Sequence, residues 1–209
     1  MAIKNYAELK AAIADWMDRR ELLDSVTIDK VTIYPVNVFC GHVESECNRK
    51  LRTEDMSTVI FNSGCDDQSV VLLPDNVLGL RMITVNGVDA EYLTPEQFSF
   101  TGYSGCRGPM YTRIANQLHV YPEMEAASDL TMVAYTAIPP LEKDVDTNWL
   151  LRKFPDVYLY GCLYEACAYV YDTDNELKWK QKFNIAIQDL IDSDVDDRWS
   201  GSTLSIRHV

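Results

Sequence analysis

Apolar residues along the chain change their period twice, dividing it into helical, strand-forming and again helical portions. From Tyr6 to Arg20, the residues Tyr6, Leu9, Ala12, Ile13, Trp16 and Met17 share one face at helical spacing, and Asn5 suits the N-cap. A second helical stretch is predicted to begin after Asp24 or Ser25, with Val26, Ile28 and Val31 early and Val43, Cys47 and Leu51 late. Pro35 lies in its middle. Proline removes a backbone donor and clashes with the preceding turn, so a kink or split is expected near Tyr34–Pro35. Gly41 weakens the same helix.

Between Ser57 and Ala137 the pattern is that of strands. Thr58 to Phe61 and Ser69 to Leu73 flank a polar turn at 62–67. Met82 to Val85 and Val88 to Leu93 flank Asn86-Gly87, a strong hairpin signal because both residues tolerate positive φ. Tyr111 to Ile114 and Gln117 to Tyr121 flank Ala115-Asn116, and Leu130 to Tyr135 makes a further strand. Thr94-Pro95-Glu96-Gln97-Phe98 fits one capped turn of helix with proline in its first position. Gly102, Gly105 and Gly108 mark the stretch 101–109 as an exposed loop.

After Ile138-Pro139-Pro140-Leu141 the helical period returns, with Asn148 as a cap. Pro155 starts a helix through about Tyr171 that is apolar on nearly every side, through Val157, Leu159, Tyr160, Leu163, Ala166 and Cys167. Such a helix must be buried all round, and Gly161, Cys162, Ala166 and Ala168 let a neighbour come close. Glu165 is its lone mid-helix charge and needs a partner, for which Arg152 or a basic group of a neighbouring copy would serve. Asp172-Thr173-Asp174 offers a new N-cap. The last helix then carries Trp179, Phe183, Ala186, Ile187, Leu190 and Ile191 on one stripe and ends in the acidic run 192–197. Beyond it, Arg198, Trp199, Ser200, Gly201, Leu204, Ile206 and Arg207 read as an extended amphipathic arm for a partner surface or sheet edge. Its large apolar side chains cost roughly 1.5–3 kcal/mol each if left in water. The expected fold class is α+β: N-terminal helices at 1–56, an inserted antiparallel β portion at 57–141, C-terminal helices at 142–197 and the arm at 198–209.

Charge narrows the function. The 209 residues carry a formal charge of −13, with 19 scattered basic residues against 32 acidic ones. Sequence-specific DNA binding needs clustered cations to neutralise phosphates and is therefore not expected. No apolar run is long enough to cross a membrane, and Met1 to Tyr6 has no signal-peptide core. Catalytic sets are missing from the pattern. Cys40, His42 and Cys47 have no second cysteine pair to complete a zinc site and read as packing residues. The histidines, His42, His119 and His208, stand beside no nucleophile motif, and no phosphate-binding glycine loop occurs. No metal or cofactor is expected.

A series of motifs in order carries a resemblance. They are Tyr6-x-x-Leu9 with Trp16, Asn48-Arg49-Lys50-Leu51-Arg52, Leu73-Pro74-Asp75, Glu91 through Phe98, and Tyr121-Pro122. Asn148-Trp149-Leu150-Leu151, Pro155 through Gly161, and Arg198-Trp199-Ser200-Gly201-Ser202 complete the series. Across nearly its whole length the chain resembles the head-to-tail adaptor, or connector, proteins of tailed bacteriophages. The segment from Thr32 to Gly41, with Pro35, Asn37 and Gly41, departs from the smooth helix of that pattern. The resemblance implies a non-enzymatic virion protein of the neck, assembled in the host cytoplasm. It implies a ring, typically of twelve copies, between the portal and the tail or nozzle proteins, with DNA passing through the lumen without sequence-specific binding. Tyr160, Gly161, Tyr164, Glu165 and Trp179 would pack copies together, the arm would hold the portal, and the loop with Gly102, Gly105 and Gly108 would face the tail. Acidic groups such as the 192–197 cluster would line the channel and repel phosphate within roughly 8–10 Å. Two rivals are a peptide- or protein-binding module that uses the sheet portion, and a carboxylate-dependent hydrolase.

Overall fold

The computed structural model describes residues 3–28, 31–63, 70–100, 108–124 and 128–199. The fold is α+β and divides into two compact units. One comprises 1–55 and 138–209, the other Met56–Ala137.

The first unit opens with helix α1, Tyr6–Trp16, where the Asn5 carboxamide oxygen accepts the Glu8 N–H at 2.9 Å. Tyr6, Leu9, Ile13 and Ala14 are buried. The chain then forms an antiparallel pair, β1 (Val26–Ile28) and β2 (Val31–Ile33), and helix α2, Pro35–Lys50. This corrects the expectation of a kinked helix across Pro35. Val26-Thr27-Ile28 and Val31-Thr32-Ile33 are β-branched and alternate with period two, which favours strands over a helix. Proline occupies the first turn of α2, where its N–H would have no intrahelical partner anyway. Val36, Phe39, Cys40, Val43 and Cys47 form the buried stripe of α2.

The second unit holds β3 (Ser57–Ser63), β4 (Val70–Leu72), β5 (Val77–Val85), β6 (Val88–Asp89), β7 (Glu91–Tyr92), helix α3 (Pro95–Phe100), β8 (Met110–Ile114), β9 (Gln117–Tyr121) and β10 (Asp129–Thr136). They make two four-stranded sheets, ordered β3-β10-β5-β6 and β4-β9-β8-β7. Ile83, Leu130 and Met132 of the first meet Val71, Tyr111, Leu118 and Val120 of the second in one core. Asn86 and Gly87 adopt φ of 50° and 77°, as the hairpin required, and the Asn86 side chain accepts the Asp129 N–H at 2.9 Å. The Thr94 hydroxyl accepts from the Gln97 N–H, and the Gln97 side chain returns the bond to the Thr94 N–H, so α3 starts on a capping box. Two expectations change here. The strands on either side of 62–67 do not pair with each other: β3 pairs with β10 and β4 with β9. The run Val88 to Leu93 is not one strand. At Ala90 it leaves β5, its antiparallel partner in the first sheet, and joins β8, its parallel partner in the second.

The first unit resumes with α4 (Trp149–Lys153), α5 (Pro155–Tyr169) and α6 (Thr173–Trp199). Helix α5 packs against α1, α2, α4 and α6 of its own chain and buries Val157, Tyr158, Leu159, Gly161, Cys162, Leu163, Ala166 and Cys167. It is not covered all round as its composition suggested: Tyr160, Tyr164 and Glu165 are half-buried, and Ala168 and Tyr169 are exposed. A Cβ built on Gly161 would lie 2.6 Å from Val43 Cγ2 and 3.0 Å from Phe183 Cε2, so two helices touch α5 at its missing side chain. Phe183, Ala186, Ile187 and Leu190 are the buried stripe of α6.

Helix α6 runs through the acidic segment and takes in Arg198 and Trp199, which the sequence had placed in an extended arm. Like charges at a helix C-terminus oppose its dipole. Here the Arg198 guanidinium lies 2.7 Å from Asp194 and donates to the Arg52 carbonyl at 2.8 Å, while Asp194 also accepts the Glu54 N–H at 2.7 Å. These contacts offset the repulsion and carry the helix on through Arg198 and Trp199.

Gly161→Ala is expected to lower stability by about 1–3 kcal/mol, the cost of overpacking a filled core. Val43→Ala in the same chain should restore part of that loss, and urea unfolding of both variants measures it.

Candidate functional site

On α5, Tyr160 and Tyr164 stand one turn apart and meet the first third of α6. The Tyr160 ring stacks on Trp179 at 5.8 Å, and Trp16 of α1 approaches the same indole at 5.5 Å. Lys182 Nζ sits 4.8 Å above Trp179 and 5.3 Å from Tyr160, Lys178 Nζ lies 5.0 Å from Trp179, and Lys180 Nζ lies 5.1 Å from Tyr164. Each such contact contributes about 0.5–1 kcal/mol at an exposed site. The result is a basic, aromatic patch on a chain whose net charge is −13. Trp16 is 53% exposed although the helical period had counted it in the buried face.

The other residues assigned to packing between copies lie elsewhere. Glu165 points to α2, where its Oε2 is 2.9 Å from His42 Nδ1. His42 of the same chain is thus the partner, rather than Arg152 or a basic group of a neighbouring copy. Gly161 is buried between Val43 and Phe183. Of the arm, Arg198 is held by Asp194 and the Arg52 carbonyl, while Ser200, Gly201, Leu204, Ile206 and Arg207 lie outside the described residues. Gly102 and Gly105 also lie outside them, and Gly108 is exposed.

A buried polar network links α2, α4 and α5, and sequence reasoning missed it. Glu44 Oε1 accepts from the Tyr158 hydroxyl at 3.0 Å and from the Leu141 N–H at 3.1 Å. The Asn148 amide donates to Tyr158 Oη at 2.7 Å and to the Pro139 carbonyl at 2.8 Å, while its oxygen caps α4 through the Leu151 N–H. The available signal was Glu44, four residues after Cys40 and beside Val43 on the apolar side of α2.

The thiols of Cys47 and Cys162 are poor nucleophiles. Burial pushes Cys47 up to about 12, and Cys162, whose sulfur lies 3.4 Å from that of Cys40, is also raised, first by burial and then by its bond to Cys40. Among the described residues, no group of three His, Cys, Asp or Glu side chains could hold a metal ion. A groove of about 740 Å³ beside α1 is lined by Ala11, Ala12, Trp16, Leu23 and Leu159, with Glu8, Asp15 and Arg20 as its charged members. It contains no nucleophile beside a base. No described helix is long and apolar enough to cross a membrane.

The family model described as SU10 adaptor protein matches residues 4–207. The chain belongs to the SU10 adaptor protein family. The resemblance read from the ordered motifs therefore holds over nearly the whole chain, and the protein is a phage adaptor with a structural role. No curated protein matches it.

In this SU10 adaptor, Glu44 is a stability group. Burial holds its carboxyl above the ordinary 4.5, against the lowering effect of its bonds from Tyr158 and Leu141. The folded state thus keeps the proton more tightly than the unfolded one. Stability should fall as pH rises from 4.5 through the raised folded value and level off above it. Glu44→Gln keeps an acceptor without the charge and should remove that slope, with neutral-pH stability equal to or above wild type. Glu44→Ala strands the Tyr158 and Leu141 donors and should cost about 1–3 kcal/mol for each. Urea unfolding between pH 4.5 and 8 distinguishes the two variants.

Proposed function

We propose that this adaptor forms a ring in the virion neck, joins portal to tail, and lines the channel through which DNA leaves. Twelve copies is the typical number for the resembling adaptors. The observation that carries the reading is the family match across residues 4–207. The structure supports it in two ways. The helical unit fills its core with its own chain, so copies would meet through outer surfaces and leave the fold intact. Those surfaces are of opposite sign: the lysine–aromatic patch of Tyr160, Tyr164 and Trp179 at one end of α6, and Asp189, Asp192, Asp196 and Asp197 toward the other. Interfaces that combine aromatics with complementary charge gain both affinity and orientation.

In this reading Tyr160, Tyr164 and Trp179 pack against the next subunit, while Gly161 and the Glu165–His42 pair shape the bundle behind them. Residues 200–209 follow α6 and reach the portal, and the loop at 101–109 faces the tail. Carboxylates not engaged within the chain face the lumen, where they keep DNA phosphate from adhering. Assembly takes place in the host cytoplasm.

Removing residues 200–209 leaves Arg198 and its bonds to Asp194 and Arg52 in place. The shortened chain should keep the thermal stability of the full chain and lose portal binding by at least tenfold in co-sedimentation with portal rings. Undiminished binding would refute the arm's role.

A further inference from the structure

Among the described residues, no strand covers one edge of the first sheet of the second unit. Strand β3 has β10 on one side and, among the described residues, no strand on the other. Its residues, Ser57-Thr58-Val59-Ile60-Phe61-Asn62-Ser63, include no charge, no proline and no glycine. Natural edge strands normally carry a lysine, a proline or a bulge that blocks pairing with another chain. The irregular register in this sheet lies between β10 and β5, away from β3. The strand also stands out from the sheet: Phe61 is 75% exposed, Val59 is 51% exposed, and Thr58 on the opposite face is exposed too. On the outer face Val59, Val133 and Met82 lie side by side in register, so the apolar row extends into the sheet.

We infer that β3 pairs antiparallel with β3 of a second copy of this chain, with Ile60 opposite Ile60, joining the two sheets edge to edge. Three features select a second copy over another partner. First, the strand has the same order of residue types from either end: two polar residues, Val, Ile, Phe, two polar residues. An antiparallel pair about Ile60 therefore sets Val59 against Phe61 of the other copy, twice, and opposes residues 57 and 58 to residues 63 and 62. Aromatic and β-branched side chains facing one another across strands stabilise such a pair. Second, a two-fold contact requires this kind of self-complementary patch. Third, two copies of charge −13 repel, and contact falls where charge is absent; β3 is uncharged throughout. With this pairing the outer row continues across the axis, from Met82, Val133 and Val59 of one copy to Phe61, Thr131 and Thr84 of the other.

This contact is independent of the proposed ring. A ring uses two different faces of each subunit, whereas a two-fold pair uses the same face twice. The pair would be a state of the free adaptor.

Sedimentation of the purified full chain over a wide concentration range tests it. The wild type should shift from 23.8 kDa to about 48 kDa as concentration rises. Phe61→Lys and, separately, Val59→Lys should each weaken the dimer at least tenfold, with an unchanged unfolding midpoint at concentrations where the wild type is monomeric, since both side chains are already exposed. Amide exchange in β3 should slow with concentration in the wild type and not in Phe61→Lys. A wild-type chain that stays monomeric throughout would overturn the proposal. So would self-association that both lysine variants leave untouched, or an edge that takes only strands of other proteins. Portal binding by Phe61→Lys, measured alongside, reports on the ring separately: its retention keeps the ring reading whatever the dimer does.

Discussion

Val43 of α2 and Phe183 of α6 come so close to Gly161 that no Cβ fits between them and α5. That contact sets the spacing of the helical unit. With α2 and α6 seated on α5, the apolar sides of α5 that remain are taken by α1 and α4. The same closeness brings Glu44 of α2 against Tyr158 of α5, and Tyr158 in turn holds Asn148, which caps α4. A larger residue at 161 would disturb the packing and the buried polar network together, because both rest on the distance between α2 and α5.

A core closed within one chain determines what is left for assembly. The outward features are the lysines over Tyr160, Tyr164 and Trp179, the carboxylates along the second half of α6, and the uncharged edge of β3. They are surfaces, as the chain's membership of an adaptor family implies. The acid of α6 is partly used inside the unit: Asp194 anchors both Arg198 and the Glu54 N–H, and the anchor lets the helix continue to Trp199.

Much of this was legible in the residues. Asn5, Thr94 and Asn148 announced the helix starts they cap, and Asn86-Gly87 announced its hairpin, because each signal acts through neighbours in sequence. The burial of most of α5 was legible too, but not the stripe of Tyr160, Tyr164, Ala168 and Tyr169 that its own chain leaves partly or fully exposed. The signals that misled concern partners far apart in the chain. Val26 to Ile33 carries strand-type residues, yet the apolar positions around it also fit a helix, and only the place of Pro35 at the start of α2 decides. The pairing of β3 with β10 rather than β4 spans the whole second unit, and no local pattern records it. Glu165 showed that it needed a partner, but not that His42, on another helix, would be the one. Arg198 read as part of an arm because its ties to Arg52 and Glu54 are long-range.

The central claim is that each copy covers the buried side of α5 by itself and joins others only through its outer surfaces, Tyr160 and Tyr164 among them. Amide hydrogen exchange, measured on the free adaptor and on the adaptor within assembled particles, tests this most directly. The account predicts that amides from Tyr158 to Cys167 exchange in the free chain only through global unfolding, and that assembly leaves them unchanged while slowing exchange in α6 around Trp179. Fast exchange of α5 in the free chain, with protection gained only on assembly, would contradict it.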